Sequence, residues 1–307
     1  MKRISLSCCA AMIAISTFAQ NPDKALARVR YTFSHIEDTT QRDKPRTENM
    51  LLITGNNASV YTSYDKINQS ANMQKQIQEQ VKAQAGSGMQ NIKIESRSTK
   101  PISQVDYFFF ANEHKMITKE RLFNNYLVEE PAETINWKIA KDTMSFSGIH
   151  CQKATAYFKG RNWIAWFATE IPFQSGPWKL NGLPGLIVEA YDEKKEVQFQ
   201  FAGLDKVTEA ETVKDEKGEL SGMSIKIVGL ETDNYLGSEI KLPANAIKTT
   251  RKELDKLKEA RDKDPQGFMQ AQMAANGING SFKSSTVRAP GSVKIAINNP
   301  IELPEKK

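Results

Sequence analysis

A catalytic or metal site in this chain would have to be built from few groups: three histidines, three cysteines and scattered carboxylates. His35, His114 and His150 stand far apart, with no i, i+4 pair and no short Cys/His spacing of the kind that holds zinc. His150 and Cys151 are adjacent, which suggests a thiol nucleophile with its base. On a strand, however, neighbouring side chains point to opposite faces, so the two could not readily share a hydrogen bond. A lone cysteine in an apolar strand is more simply a small hydrophobe. Carboxylate pairs such as Glu129-Glu130 lie in charged surroundings where solvated acids are expected. No Gly-x-Ser-x-Gly, P-loop or dinucleotide fingerprint occurs. The sequence therefore predicts no catalytic residue, no metal ligand and no cofactor.

One constellation does suggest binding. Arg161 precedes Trp163 and Trp166, and a guanidinium beside indoles can hold an anionic or aromatic ligand by cation–π and bidentate contacts. The competing role is structural, an arginine that ties down the turn at Gly160. Tyr107 and Phe109 belong to a second aromatic strand. Together these five residues form a candidate ligand-binding set, because they supply more aromatic surface than a flat sheet requires.

The elements that must position them are mostly strands. Ala27 to Ile36 alternates strictly, with Val29, Tyr31 and Phe33 on one face. Asn49–Ile53 and Ala58–Tyr64 predict a hairpin about Gly55-Asn56-Asn57. Ser103–Ala111 is strongly β-favouring, and Lys115–Val128 suits one or two more strands. A meander follows over Trp137–Ile139, Cys151–Lys159, Trp163–Ile171 and Leu186–Tyr191, then Glu196–Phe201 and Leu220–Val228. The segment Trp163–Ala168 is apolar on both faces, so it should be covered on both sides or line a cavity. Leu183-Pro184-Gly185-Leu186 predicts a type II turn, and Gly176-Pro177 a nearby chain reversal. Two polar segments, near 66–90 and 245–278, read as helical insertions. The first has a thin stripe of Met73, Ile77 and Val81; the second is capped by Asn245 and broken at Pro265. Val293–Ile297 predicts a last strand.

The N-terminus sets the compartment. Lys2 and Arg3 precede an uncharged, mainly apolar run, Ile4–Phe18, and a small-x-small site at Thr17-Phe18-Ala19. That layout predicts a signal peptide over 1–19, with a single exported, soluble domain over 20–307. No later stretch is apolar enough to predict a spanning helix. Losing Lys2 and Arg3 leaves 40 basic against 36 acidic residues, a net charge of +4 interleaved along the chain, which argues against a nucleic-acid partner. Cys8 and Cys9 leave with the signal, so Cys151 would have no disulfide partner.

Gly182, Leu183, Pro184, Gly185, Leu186 and Ile187 spell the hexapeptide after which the GLPGLI family of the Bacteroidetes is named. Cys151-Gln152-Lys153-Ala154, Gly160-Arg161, Trp166, Ile171-Pro172 and Gly176-Pro177-Trp178 also resemble that family's pattern. The resemblance is dense over some forty residues. It implies an exported protein without an established reaction, often associated with outer-membrane receptor systems. A related domain occurs at the N-terminus of some secreted glycoamidases, apart from their catalytic part. The element order also resembles lipoprotein carriers, so the expected fold is α+β with a mainly antiparallel, strongly curved, half-barrel-like sheet. The expected function is a non-catalytic binding or accessory protein of the envelope, holding an apolar or peptide-like ligand. The alternative is a secreted hydrolase of peptides or glycopeptides.

Overall fold

The computed structural model describes residues 22–83, 101–207, 235–277 and 297–305. The stretch read as a signal peptide, the expected strand at 220–228 and, apart from Ile297, the expected last strand lie outside the described residues.

Twelve strands form one sheet: β2 (Ala27–His35), β3 (Arg46–Thr54), β4 (Ala58–Ser63), β5 (Val105–Phe110), β6 (Lys115–Arg121), β7 (Asn125–Pro131), β8 (Lys138–Phe146), β9 (Ile149–Phe158), β10 (Arg161–Ala168), β11 (Leu186–Asp192), β12 (Val197–Lys206) and β14 (Ile247–Thr249). Their spatial order is β14-β7-β6-β5-β4-β3-β2-β12-β11-β10-β9-β8, antiparallel throughout except for the parallel β14–β7 pair. β1 (Asp23–Lys24) and β13 (Glu239–Ile240) make a separate two-stranded ribbon. The helices are α1 (Tyr64–Ala83), α2 (Arg251–Lys263) and α3 (Pro265–Ala275).

The sheet is two meanders joined where β2 pairs with β12, from His35 opposite Val197 to Ala27 opposite Lys206. The strict alternation of β2 does what period two requires. Val29, Tyr31 and Phe33 enter the main core with Met50, Leu52, Tyr61 and Phe199. The opposite face of β3–β5 is also buried: Leu51, Ile53, Ala58, Val60, Phe108 and Phe110 form a second core.

The expected strongly curved half-barrel is not found. The sheet is open, ending at β14 and β8, and is neither closed nor strongly curled. Around β3–β5 the chain covers both faces itself. The loop between β10 and β11 brings Trp178, Leu180 and Leu183 onto the first. Tyr64 and Ile67 of α1, with Ala25 and Ile240 at the ribbon, cover the second. The aromatic surplus is taken up by packing: Phe33 stacks on Phe199 at 5.3 Å, and Trp163 lies 6.0 Å from Phe199 and 5.6 Å from Trp178.

Local expectations shift for identifiable reasons. The first helix begins at Tyr64, directly after β4, because Ser63 Oγ accepts the Lys66 N–H at 3.0 Å. Asn245 is not a cap: residues 247–249 pair with β7, and Thr250 with Glu253 forms a capping box for α2. Leu183–Leu186 does not make a type II turn. The Gly185 N–H donates to Leu183 O at 2.8 Å, one residue tighter, and the Leu186 N–H goes to Ile171 O at 2.9 Å. Glycine is needed at 185 for close approach, since a Cβ there would lie 2.2 Å from Ala168 O. The hexapeptide thus folds the loop back onto the sheet, with Leu183, Leu186 and Ile187 buried and Tyr31 Oη donating to Ile187 O at 2.6 Å. Gly176, Pro177 and Cys151 are buried with it.

Candidate functional site

On the Tyr107 face of β5–β7 lies an open cleft of about 740 Å³. Strand register builds its floor. Tyr107 stands opposite Thr118 and Val105 opposite Glu120, while Met116 stands opposite Glu130 of β7. These side chains share one face by alternation, and Phe158 at the end of β9 closes the far side.

Helix α2 forms one wall. Arg251, Leu254 and Lys258 lie at i, i+3 and i+7, a single stripe. Leu254 is fully buried against Tyr126 and Val128 of β7. Its flanking bases reach into the cleft: Arg251 Nη2 lies 3.1 Å from Glu130 Oε2, and Lys258 Nζ 3.2 Å from Glu120. The opposite wall repeats the arrangement. Lys159 pairs with Glu133, and Lys179 Nζ lies 2.7 Å from Glu302 Oε1 of the C-terminal segment. Four ion pairs therefore ring an apolar floor of Val105, Tyr107, Met116 and Phe158. Burial pushes the Tyr107 phenol well above its ordinary pKa, and the nearby Glu302 carboxylate adds to the push. It stays a neutral hydroxyl. The Thr118 hydroxyl, only 2% exposed, has no hydrogen-bond partner.

Of the five residues singled out in sequence, only Tyr107 lines this cleft. Phe109 is half-buried on the same strand face and lines neither this cleft nor the smaller one described below. Trp163 is fully buried, its Nε1 donating to Phe158 O at 3.0 Å. Trp166 packs on Phe146 at 6.1 Å.

Arg161 is committed to its own chain. Nε donates to Ile301 O at 2.8 Å, Nη1 to Asp192 Oδ2 at 2.8 Å and Glu196 Oε2 at 3.3 Å, and Nη2 to Asn299 Oδ1 and Pro300 O, both at 2.7 Å. That uses all five donors of a guanidinium. These bonds tie the C-terminal segment and the β11–β12 turn to the start of β10. Gly160 lets that segment approach: its φ is +73°, and a Cβ there would lie 2.5 Å from Leu303 O.

Cys151 is buried, and burial together with Glu189 pushes its thiol up to about 11, so little thiolate exists at neutral pH. His150 points away from it, with Nδ1 3.0 Å from Ser145 Oγ. Among the described residues no group of three or more His, Cys, Asp or Glu could hold a metal ion, and no helix is long and apolar enough to cross a membrane.

Sequence inspection missed most of the cleft. Glu130 read as a solvated acid, yet its partner Arg251 is 121 residues away. The available signal was the polar alternation Thr118, Glu120 within β6, on the same side as Met116.

Residues 44–189, from the loop before β3 through most of β11, match the family model described as "Protein of unknown function (Porph_ging)". No curated protein matches the chain. Solved structures of PNGF-II in P21 and C2 space groups are similar at 10% and 11% identity, with TM-scores of 0.46 and 0.41. The matches cover 76% and 60% of this chain but only 32% and 28% of PNGF-II, so the chain spans about a third of that protein.

Proposed function

We propose, for a chain whose residues 44–189 belong to the Porph_ging family, which corresponds to the GLPGLI family of unknown function, that it is an exported, non-catalytic binding protein of the cell envelope whose wide cleft holds a peptide-like ligand. The observation that carries this is the cleft's make-up: an apolar floor ringed by four acid–base pairs, with the unpartnered Thr118 hydroxyl beside Tyr107. An extended peptide presents what such a surface can meet, namely apolar side chains, charged groups of either sign and a backbone amide for a buried hydroxyl. A purely apolar ligand would leave the ring of charges desolvated and is the poorer fit.

Export rests on Lys2, Arg3 and the run Ile4–Phe18, and an outer-membrane receptor partner on the family resemblance; both belong to the proposal. Native mass spectrometry of the protein taken gently from its envelope fraction should show bound peptide mass. Thr118→Val, almost isosteric, should weaken binding of a selected peptide about fivefold, in line with one lost hydrogen bond near 1 kcal/mol. Tyr107→Ala should weaken it more than tenfold by removing the floor. Peptide affinity unchanged in both variants would overturn the assignment. Cleavage products accumulating from the bound peptide would favour the hydrolase alternative instead.

A further inference from the structure

A second recess lies on the other side of Tyr107 and has a different chemistry. It holds about 240 Å³ and is walled mainly by rings and apolar side chains of the main core, with Trp178 from the β10–β11 loop and Pro300 and Ile301 from the C-terminal segment. Three buried polar atoms on its lining residues are unmatched, Trp178 Nε1 and one each on Tyr61 and Arg46. Tyr61 is 3% exposed, and its Oη has no hydrogen-bond partner. Arg46 donates Nη1 to Glu37 at 3.2 Å and Nη2 to Glu48 at 2.6 Å, but its Nε is buried without a partner. Folded proteins rarely leave such groups unmatched, and three around one recess call for an acceptor from outside.

We propose that this recess is a binding site for a neutral, single-ring aromatic group bearing a carbonyl oxygen, which accepts hydrogen bonds from Tyr61 Oη and Arg46 Nε. Size sets the first limit, because the recess takes about one ring with a small substituent. The aromatic lining sets the second, since Phe33, Tyr61, Tyr107, Trp178 and Phe199 wall the recess. Charge sets the third. The Arg46 guanidinium is neutralised by Glu37 and by Glu48, so an incoming carboxylate would meet two acids and no free cation. His35, at the rim, does not change this: burial lowers its pKa, and Nε2 is engaged with Asn299 O at 2.8 Å. An uncharged carbonyl satisfies both donors without that repulsion. This site is separate from the wide cleft, because neither Tyr61 nor Arg46 lines the cleft.

The test uses the full chain and three probes of similar shape: acetophenone, its hydrocarbon analogue α-methylstyrene, and benzoate. Binding is followed by nuclear magnetic resonance at the indole N–H of Trp178, identified by its loss in Trp178→Phe. Acetophenone should bind about tenfold more tightly than either of the others. In Tyr61→Phe that preference over α-methylstyrene should fall to about threefold, with hydrocarbon binding unchanged. The same variant should melt no lower than the wild type, because it deletes a hydroxyl that has no partner in the empty protein. Ile297→Trp, at the exposed mouth, should block all three probes. Equal affinity for ketone and hydrocarbon, a ketone preference that survives Tyr61→Phe, or a lower melting temperature in Tyr61→Phe would each overturn the proposal. Peptide binding in the wide cleft should be unaffected by Tyr61→Phe, so the two sites fail independently.

Discussion

Arg161→Met is expected to lower the unfolding free energy by about 3–5 kcal/mol, the usual consequence of removing one partner from a buried ionic cluster. The guanidinium, Asp192 and Glu196 have side-chain exposures of only 2%, 4% and 7%. Without the arginine two carboxylates stay buried. Asp192 would keep only the Val197 N–H on Oδ1, and Glu196 only Arg42 on Oε1. Three acceptors of the C-terminal segment, on Asn299, Pro300 and Ile301, would also lose their donors. Urea denaturation should show a lower midpoint at unchanged slope, and hydrogen exchange should accelerate over 298–303. Because Glu302 lines the wide cleft and Pro300 and Ile301 the recess, ligand binding at both should weaken with it. Arg161→Lys should recover only part, having three donors in place of five. The pH dependence gives a further check. Burial acts to raise the Glu196 pKa, but hydrogen bonds from Arg42 and Arg161 hold it below the usual range. A depressed folded-state pKa stabilises above the unfolded value of about 4.3 and is lost as pH falls below it. The gap between wild type and Arg161→Met should therefore narrow in acid. A loss under about 1 kcal/mol at neutral pH would show the cluster to be dispensable.

The strands were legible because one-sided burial writes period two into a sequence. Val29-x-Tyr31-x-Phe33 and Val197-x-Phe199 show it, and they pair across the centre of the sheet. The double apolarity of Trp163–Ala168 fits either cover on both sides or a cavity lining, and the residues alone could not say which. On the Trp163 face the cover is Trp178 and Leu183, carried by the loop between β10 and β11. That uncertainty also hid the curvature, since an aromatic excess fits a lined lumen as well as a filled core. The cleft was hidden for another reason. Glu120, Glu130, Arg251 and Lys258 are ordinary surface charges taken singly, and they become a site only when α2 lands on β7 through Leu254. Arg161 shows the same limit, because its acceptors in the C-terminal segment lie 138 to 140 residues away.

The second large effect is expected at Asp106, which lies directly before Tyr107 and points to the opposite face of β5. It is fully buried, and its two oxygens accept from Thr62 Oγ1 at 2.6 Å, Lys66 Nζ at 2.5 Å, Lys119 Nζ at 3.0 Å and Tyr235 Oη at 2.7 Å. Asp106→Asn keeps the shape but removes the charge that faces two lysines and turns a donor towards donors, so it should cost about 3–5 kcal/mol. Burial alone would raise the Asp106 pKa, yet Lys66 and Lys119 overcome it and hold the carboxyl far below the usual range. The stabilisation is complete above the unfolded value of about 3.9 and disappears as pH falls from there towards the native value. Urea unfolding followed from about pH 7 to pH 3 should show wild-type stability dropping in acid more steeply than that of Asp106→Asn, with the two curves converging. Parallel curves would mean that Asp106 is not a depressed carboxylate. Peptide binding adds a functional check on the same variant. Asp106 fixes β5 from behind, while Tyr107 faces the ligand, so affinity per folded molecule should be nearly unchanged. If affinity falls well beyond the unfolded fraction, the buried cluster positions Tyr107, and strand β5 couples the core to the cleft.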